Sequence, residues 1–181
     1  MDGQTAKLIA RIAENLPKKM SSDVIQGWID NPKRLQKFLS GLISELDFSD
    51  FFQTRPGLWV SEDFRRLVLA KAVSSDVVGT NHFDLPRVMT DAEIERKLEE
   101  DFGPHTWDEG ALCVTLQKWL TEQEDGRSGR LLNNDFANIF YTSSCVVRVH
   151  WLAVGRRWFV VTWSRGVVGW RAGHRAFSPA T

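Results

Sequence analysis

Apolar residues recur at intervals of three and four through the first 75 residues, a spacing typical of amphipathic helices. Pro17 ends the first periodic run, and the pair Asn31-Pro32 supplies a capping side chain followed by a residue that tolerates the first helical turn. Ser61 gives a start signal of the same kind. The pattern predicts four helices, over residues 5–16, 22–29, 31–42 and 61–73.

The helical periodicity is lost between residues 76 and 88, where turn-forming residues accumulate and predict a linker or long loop. Beyond it, Thr90 and Glu93 have the spacing of a capping box and predict a helix that ends at a Gly-Pro pair near residue 103. A second helix, over 107–123, is predicted to begin after Thr106.

From residue 137 onward the pattern changes to alternation. The runs CVVRVHWLA, RRWFVVTWS and VVGWRA predict three strands of an antiparallel meander, and the preceding ANIFYTSS offers a fourth. Two-residue turns at Val154-Gly155 or Gly155-Arg156, and then at Arg165-Gly166, decide which side chains share a face. One face is predicted to carry Arg148, His150, Arg157, Phe159, Trp163 and Trp170.

The opposite face is also apolar, so the predicted sheet needs a cover on each side. The helix over 107–123 is expected on one face. We expect one of three covers on the other face: the N-terminal helices, a second copy of the protein or a ligand. The sequence therefore predicts an α+β protein: a helical region (1–75), a linker or long loop (76–88), and a helix packed on a three- to four-stranded antiparallel meander (89–181), as separate regions or as one compact domain.

Composition narrows the class of protein. The chain has 181 residues and 43% apolar content, as expected for a globular protein. Charged residues interrupt the first turns, and no run reaches membrane-spanning length, so we expect a cytoplasmic protein without a membrane partner. Cys113 and Cys145 are expected to be free thiols, because they fit no zinc spacing and no export signal accompanies them.

The net charge of zero conceals an asymmetry. Residues 1–135 have a net charge of −6, and residues 136–181 have six arginines and no acidic residue. Such polarity either attracts polyanions to one face or holds the two parts of the chain together, and six charges favour the second interpretation.

Catalytic chemistry has little support in the sequence. A Cys-His hydrolase would use Cys113 as nucleophile with His150 or His174 as base, but Cys113 lies on the apolar stripe of its predicted helix, which favours core packing. The four histidines lack metal-ligand spacing, and no glycine-rich phosphate loop links a strand to a helix. No catalytic residue, metal or cofactor is predicted.

The predicted face with Arg148 and Trp163 supports two binding functions. Tryptophan and arginine dominate protein interfaces, which favours docking of a protein partner or self-association. Aromatic rings beside arginines also suit single-stranded nucleic acid, although the strands lack an RNP-type sequence and any lysine. A non-enzymatic protein-interaction module is the leading hypothesis, with nucleic-acid binding as the alternative.

Short aromatic and aliphatic motifs also carry a family resemblance. The segments NPKRLQKFLSGL, LWVSEDF and LCVTLQKWL, with the later residues WRA and RAFSP, resemble a family of small uncharacterised proteins that bacteria of the candidate phyla radiation, especially the parcubacterial group, encode in many copies. The resemblance implies no activity, cofactor or site residue.

Overall fold

The computed structural model describes residues 48–73, 77–166 and 169–180. The chain divides into two compact units, residues 1–45 and residues 46–181, and all described residues belong to the second unit. The helices predicted over 5–16, 22–29 and 31–42 lie outside the described residues.

The second unit contains four α-helices, two short 3₁₀ turns and eight strands within its described residues. The helices are α1 (Phe48–Phe51), α2 (Glu62–Leu67), α3 (Asp91–Phe102) and α4 (Glu109–Glu122), and the 3₁₀ turns span Leu69–Lys71 and Glu124–Gly126. The strands are β1 (Leu58–Val60), β2 (Thr80–Asp84), β3 (Met89–Thr90), β4 (Asn138–Tyr141), β5 (Val146–Leu152), β6 (Arg157–Trp163), β7 (Gly169–Trp170) and β8 (Arg175–Pro179).

Local capping explains where the helices begin. At α3 the capping box is confirmed: the Glu93 amide donates to the Thr90 hydroxyl at 3.3 Å, and the Thr90 amide donates to the Glu93 carboxylate at 2.8 Å. The cap of α4 is Asp108, which accepts from the Ala111 amide at 2.9 Å, so this helix begins two residues later than predicted. Ser61 caps α2 as expected, but that helix already ends at Leu67.

The prediction of a three- to four-stranded antiparallel meander is wrong. The main sheet has six strands in the order β1-β6-β5-β4-β8-β2, and it is mixed, because β1 pairs with β6 and β4 pairs with β8 in parallel. The remaining pairs are antiparallel. Strand β2 lies within the stretch 76–88 that was expected to be a linker or long loop.

The predicted third meander strand fails for an identifiable reason. After β6 the chain turns, and the Gly166 amide donates to the buried carboxylate of Asp91 at 2.7 Å. This bond directs the chain toward the start of α3, where β7 pairs with β3 in a separate two-stranded sheet instead of with β6. The position beside β6 is occupied by β1, which arrives from earlier in the chain.

Two apolar clusters cover the main sheet from opposite sides. On one face, Leu112, Leu116, Trp119 and other residues of α4 pack on buried apolar side chains of the sheet, among them Val147. On the other face, α3 packs over β4 and β8, and the same cluster extends to Val146 of β5 and Trp163 of β6. Each fully buried side chain of this size stabilises the fold by roughly 1.5–3 kcal/mol relative to an exposed one. Farther along β5 and β6, and on β1, the side chains of His150, Phe159 and Trp59 on the second face are only partly buried.

Candidate binding face

The sheet register places most of the predicted site residues together. Arg148 pairs with Val161, His150 with Phe159, and Leu152 with Arg157. Because directly paired residues project to the same side, these side chains share one face of the sheet, as the turn at Val154-Gly155 predicted. The Arg156 amide donates to the Ala153 carbonyl at 3.2 Å and closes that turn.

Strand β1 adds an aromatic ring that the sequence interpretation missed. Trp59 pairs with Phe159 in parallel register, and its ring centroid lies 5.3 Å from that of Phe159. The isolated triplet Leu58-Trp59-Val60 is too short to show a period, although its burial alternates as a strand does. We call the following set the basic aromatic face: Trp59, Arg148, His150, Leu152, Arg157, Phe159 and Trp163.

Two stacked groups organise this face. The His150 and Phe159 rings stack with centroids 5.2 Å apart and planes inclined by 24°. The Trp163 and Trp170 rings stack at 5.3 Å and 19°, and the Arg148 guanidinium lies 5.2 Å from the Trp163 centroid. Such contacts fix the rings and the guanidinium in one arrangement.

Trp170 reaches this group from an unexpected direction. It belongs to β7, is only 3% exposed, and donates its indole N–H to Asp91 at 2.7 Å. Trp170 therefore stacks on Trp163 from the buried side, and little of its own ring is accessible to a partner.

Arg157 lies at the margin of the face, six residues along β6 from Trp163. At about 3.4 Å per residue, the two positions are roughly 20 Å apart along the strand. Its guanidinium is exposed and donates to the Gly155 carbonyl at 3.4 Å. The predicted site is thus an extended surface with two stacked groups, and Arg157 marks its outer edge.

Ion pairing sets the arginines of this face apart. Among the described residues, Arg148 and Arg157 of the face and the neighbouring Arg171 form no ion pair. The Nε atom of Arg148 is buried without a hydrogen-bond partner there. Burial lowers the pKa of Arg148, and the nearby charge of Arg171 lowers it further. Two like charges therefore lie close together, and neither forms an ion pair within the described part of the chain.

The histidines near this surface are neutral at physiological pH. Burial, and next the charge of Arg148, lowers the pKa of His150 to about 4. The same two causes, joined by Arg171, lower the pKa of His174 to about 4. An uncharged His150 is compatible with its stacking on Phe159, and it leaves the arginines as the charged groups of the face.

A small cavity lies beside the Trp163–Trp170 stack. It has a volume of about 190 Å³ and is lined by Arg148, Trp163, Gly169, Trp170, Arg171 and His174. Alternation along the predicted strand VVGWRA would place Arg171 on the face opposite Trp170. The diversion of β7 toward α3 brings Arg171 to Arg148 instead.

The geometry separates Cys113 from both histidines considered as its base. Cys113 is fully buried within the cluster under the first face, whereas His150 lies on the second face and His174 lines the cavity beside Arg148 and Trp163. Burial raises the pKa of the Cys113 thiol to about 12, the opposite of what a nucleophilic cysteine needs. In the part of the chain that the structure describes, no group of three or more His, Cys, Asp or Glu residues could hold a metal ion.

Across residues 48–73, 77–166 and 169–180, no helix is both long and apolar enough to cross a membrane.

Comparison with protein-family models, with curated proteins and with solved structures found no match to this chain. The resemblance to the candidate-phyla family therefore stays a prediction.

Proposed function

We propose that this protein is a non-enzymatic, cytoplasmic binding module, and that its basic aromatic face docks an acidic segment of a partner protein. The observation that carries the proposal is a set of arginines that have no ion pair within the described residues and that lie beside half-buried aromatic rings. Arg148 and Arg157 form no ion pair among the described residues, although acidic side chains neutralise arginines elsewhere in this unit. A partner with carboxylates would complement this charge.

The composition of the face supports a protein as the partner. Tyrosine, tryptophan and arginine are the residues that most often dominate the energy of protein interfaces, and a rigid, pre-stacked set loses little conformational entropy on binding. Leu152, at 37% exposure, adds an apolar contact beside Arg157 at the margin. We expect an acidic segment with interspersed apolar side chains.

The stacking within the face favours a protein over single-stranded nucleic acid. Bases need free ring faces on which to stack. His150 and Phe159 are already stacked on each other, and Trp163 already has Trp170 and Arg148 against its ring. Nucleic acid would therefore depend mainly on phosphate contacts.

Selection from a library of random dodecapeptides on the immobilised full-length protein tests the proposal. We expect peptides rich in Asp and Glu with apolar neighbours. Their affinity should fall at least tenfold for Arg157→Glu but less than twofold for Arg127→Glu, which makes the same charge change at an exposed residue outside the face. Enrichment without an acidic bias, or equal losses for both variants, would overturn the proposal.

Two further measurements on the same protein separate the other occupants. Light scattering detects self-association through this face, which Arg157→Glu would then abolish. Fluorescence anisotropy with labelled oligodeoxythymidine detects nucleic acid, whose affinity would fall steeply with salt concentration. A stable dimer that buries the face, or tight binding of the oligonucleotide together with failure of the peptides, would replace the proposed function.

A further inference from the structure

We propose that the cavity between Arg148 and Arg171 is an oxyanion pocket, which receives one carboxylate or phosphate group of the partner. This inference rests on the proposed function for the identity of the molecule that carries the group. The pocket itself is inferred from its own lining residues.

The ionisable and ring N–H groups of the pocket are all donors. Arg148 and Arg171 contribute guanidinium groups, and guanidinium has no acceptor atom. The Nδ1 atom of His174 accepts the Ala137 amide at 2.8 Å, so the proton of the neutral ring lies on Nε2, which is also a donor. The indole N–H of Trp170 is used by Asp91. A pocket that offers donors and positive charge selects a negatively charged acceptor.

The arginine pair also needs a counter-ion. Burial disfavours the charged form of Arg148, and the nearby charge of Arg171 lowers the pKa of Arg148 further. Asp135 is the acidic residue whose charge reaches His150, and it lines a neighbouring cavity with Arg171. It forms no ion pair with either arginine among the described residues. An oxyanion between the two guanidiniums would accept charge-assisted hydrogen bonds from both and reduce their mutual repulsion.

The size of the pocket restricts what it can hold. A volume of about 190 Å³ is below the roughly 300–1,000 Å³ typical of small-molecule and cofactor sites. It is several times the roughly 30 Å³ that one water molecule occupies in the liquid. The pocket therefore fits one anionic group and some water, with the Trp163 and Trp170 rings as its apolar wall, and the rest of the partner lies outside on the face.

Titration with free anions tests the pocket independently of any peptide. Indole N–H resonances are followed by ¹⁵N-edited NMR while sodium phosphate or sodium acetate replaces sodium chloride at constant ionic strength. We expect saturable shifts of the Trp163 and Trp170 resonances, assigned from Trp163→Phe and Trp170→Phe. Tighter binding of acetate would identify the partner's group as a carboxylate, and tighter binding of phosphate would identify it as a phosphate. Shifts that rise linearly with the concentration of phosphate or acetate, without saturation, would overturn the pocket.

Three charge variants sharpen the test. Arg171 is exposed. The variant Arg171→Gln should bind the free anion about tenfold or more weakly, because it loses charge-assisted hydrogen bonds. Asp135→Asn removes a negative charge that lines the neighbouring cavity with Arg171, and it should strengthen binding; Asn tolerates the positive φ of 65° at this position. Arg127→Gln should change nothing. Equal affinity in Arg171→Gln and Arg127→Gln would refute the assignment.

The two proposals fail in different ways. If acidic peptides bind the face with full affinity in Arg171→Gln and free anions cause no saturable shift, the pocket is refuted and the docking function stands. If phosphate or acetate saturates the pocket but no acidic peptide binds, the pocket stands and the proposed function is refuted.

Discussion

The buried carboxylate of Asp91 joins three parts of the fold, and its removal should be the most destabilising polar substitution among the described residues. It accepts hydrogen bonds from the Tyr141 hydroxyl at 2.9 Å, the Trp170 indole at 2.7 Å and the Gly166 amide at 2.7 Å. It also occupies the first turn of α3, where the helix dipole favours negative charge.

The expected loss follows from the donors that would remain. In Asp91→Ala, the hydroxyl of Tyr141 and the indole of Trp170 stay buried without an acceptor, at about 1–3 kcal/mol each, whereas the exposed Gly166 amide can bind water. We expect the free energy of unfolding to fall by about 3–5 kcal/mol. Asp91→Asn keeps one carbonyl oxygen for the two buried donors, and it should cost about 1–2 kcal/mol.

Urea denaturation followed by far-UV circular dichroism measures this effect. With a slope of about 2 kcal/mol per molar urea, Asp91→Ala should lower the midpoint by about 1.5–2.5 M. The matched control is Asp101→Asn on the same helix, which removes an exposed ion pair with Lys97 and should cost about 0.5 kcal/mol or less. A double-mutant cycle with Tyr141→Phe should show a coupling of about 1–3 kcal/mol.

Equal midpoints for Asp91→Ala and the wild-type protein would refute this reasoning. The same conclusion would follow if Asp101→Asn destabilised the protein as much as Asp91→Ala, since the loss would then reflect helix charge rather than buried donors.

Three further predictions concern other parts of the fold. Gly126→Ala should lower stability by about 2–4 kcal/mol in thermal unfolding, because φ is 73° and the new Cβ would lie 2.3 Å from the Trp151 ring. The control Gly57→Ala has a φ of 82° and no atom within 4 Å of the new Cβ, so it should cost only about 1–2 kcal/mol. Equal losses in the two variants would exclude the clash with Trp151. DTNB should not label Cys113 in the native protein at mildly alkaline pH, since burial raises its pKa to about 12; rapid native labelling would contradict this burial. The pKa of His150 falls from 6.5 to about 4 on folding, so its contribution to stability is complete above pH 6.5 and is lost as the pH falls toward 4. His150→Leu should flatten the decline of unfolding free energy over that range, and an unchanged slope would refute the assignment.

Local signals made part of this fold predictable from the sequence. The capping box at Thr90 and Glu93 depends on residues three positions apart, and the β5–β6 register depends on one short turn. Both arise from contacts between near neighbours, so the pattern of the chain contains them. The grouping of Arg148, His150 and Phe159 on one face followed from that register.

The rest of the fold depends on contacts that no local pattern encodes. The bond from Gly166 to Asp91 spans 75 residues and diverts β7 from the sheet. The insertion of β1 beside β6, which brings Trp59 to the candidate face, joins residues about 100 positions apart. The cavity formed with Arg171 follows from the same diversion, and so it could not be found by extending the meander.

The position of β8 has a consequence for synthesis on the ribosome. This strand follows all other described strands in the chain, yet it lies inside the sheet between β4 and β2. Until β8 has been synthesised, the edges of β4 and β2 that pair with it have unpaired backbone N–H and C=O groups. Such edges can pair with other chains and cause aggregation. Cotranslational folding therefore cannot complete this sheet until residues 175–179 have left the exit tunnel, and a nascent chain stalled before them would depend on chaperones to stay unaggregated.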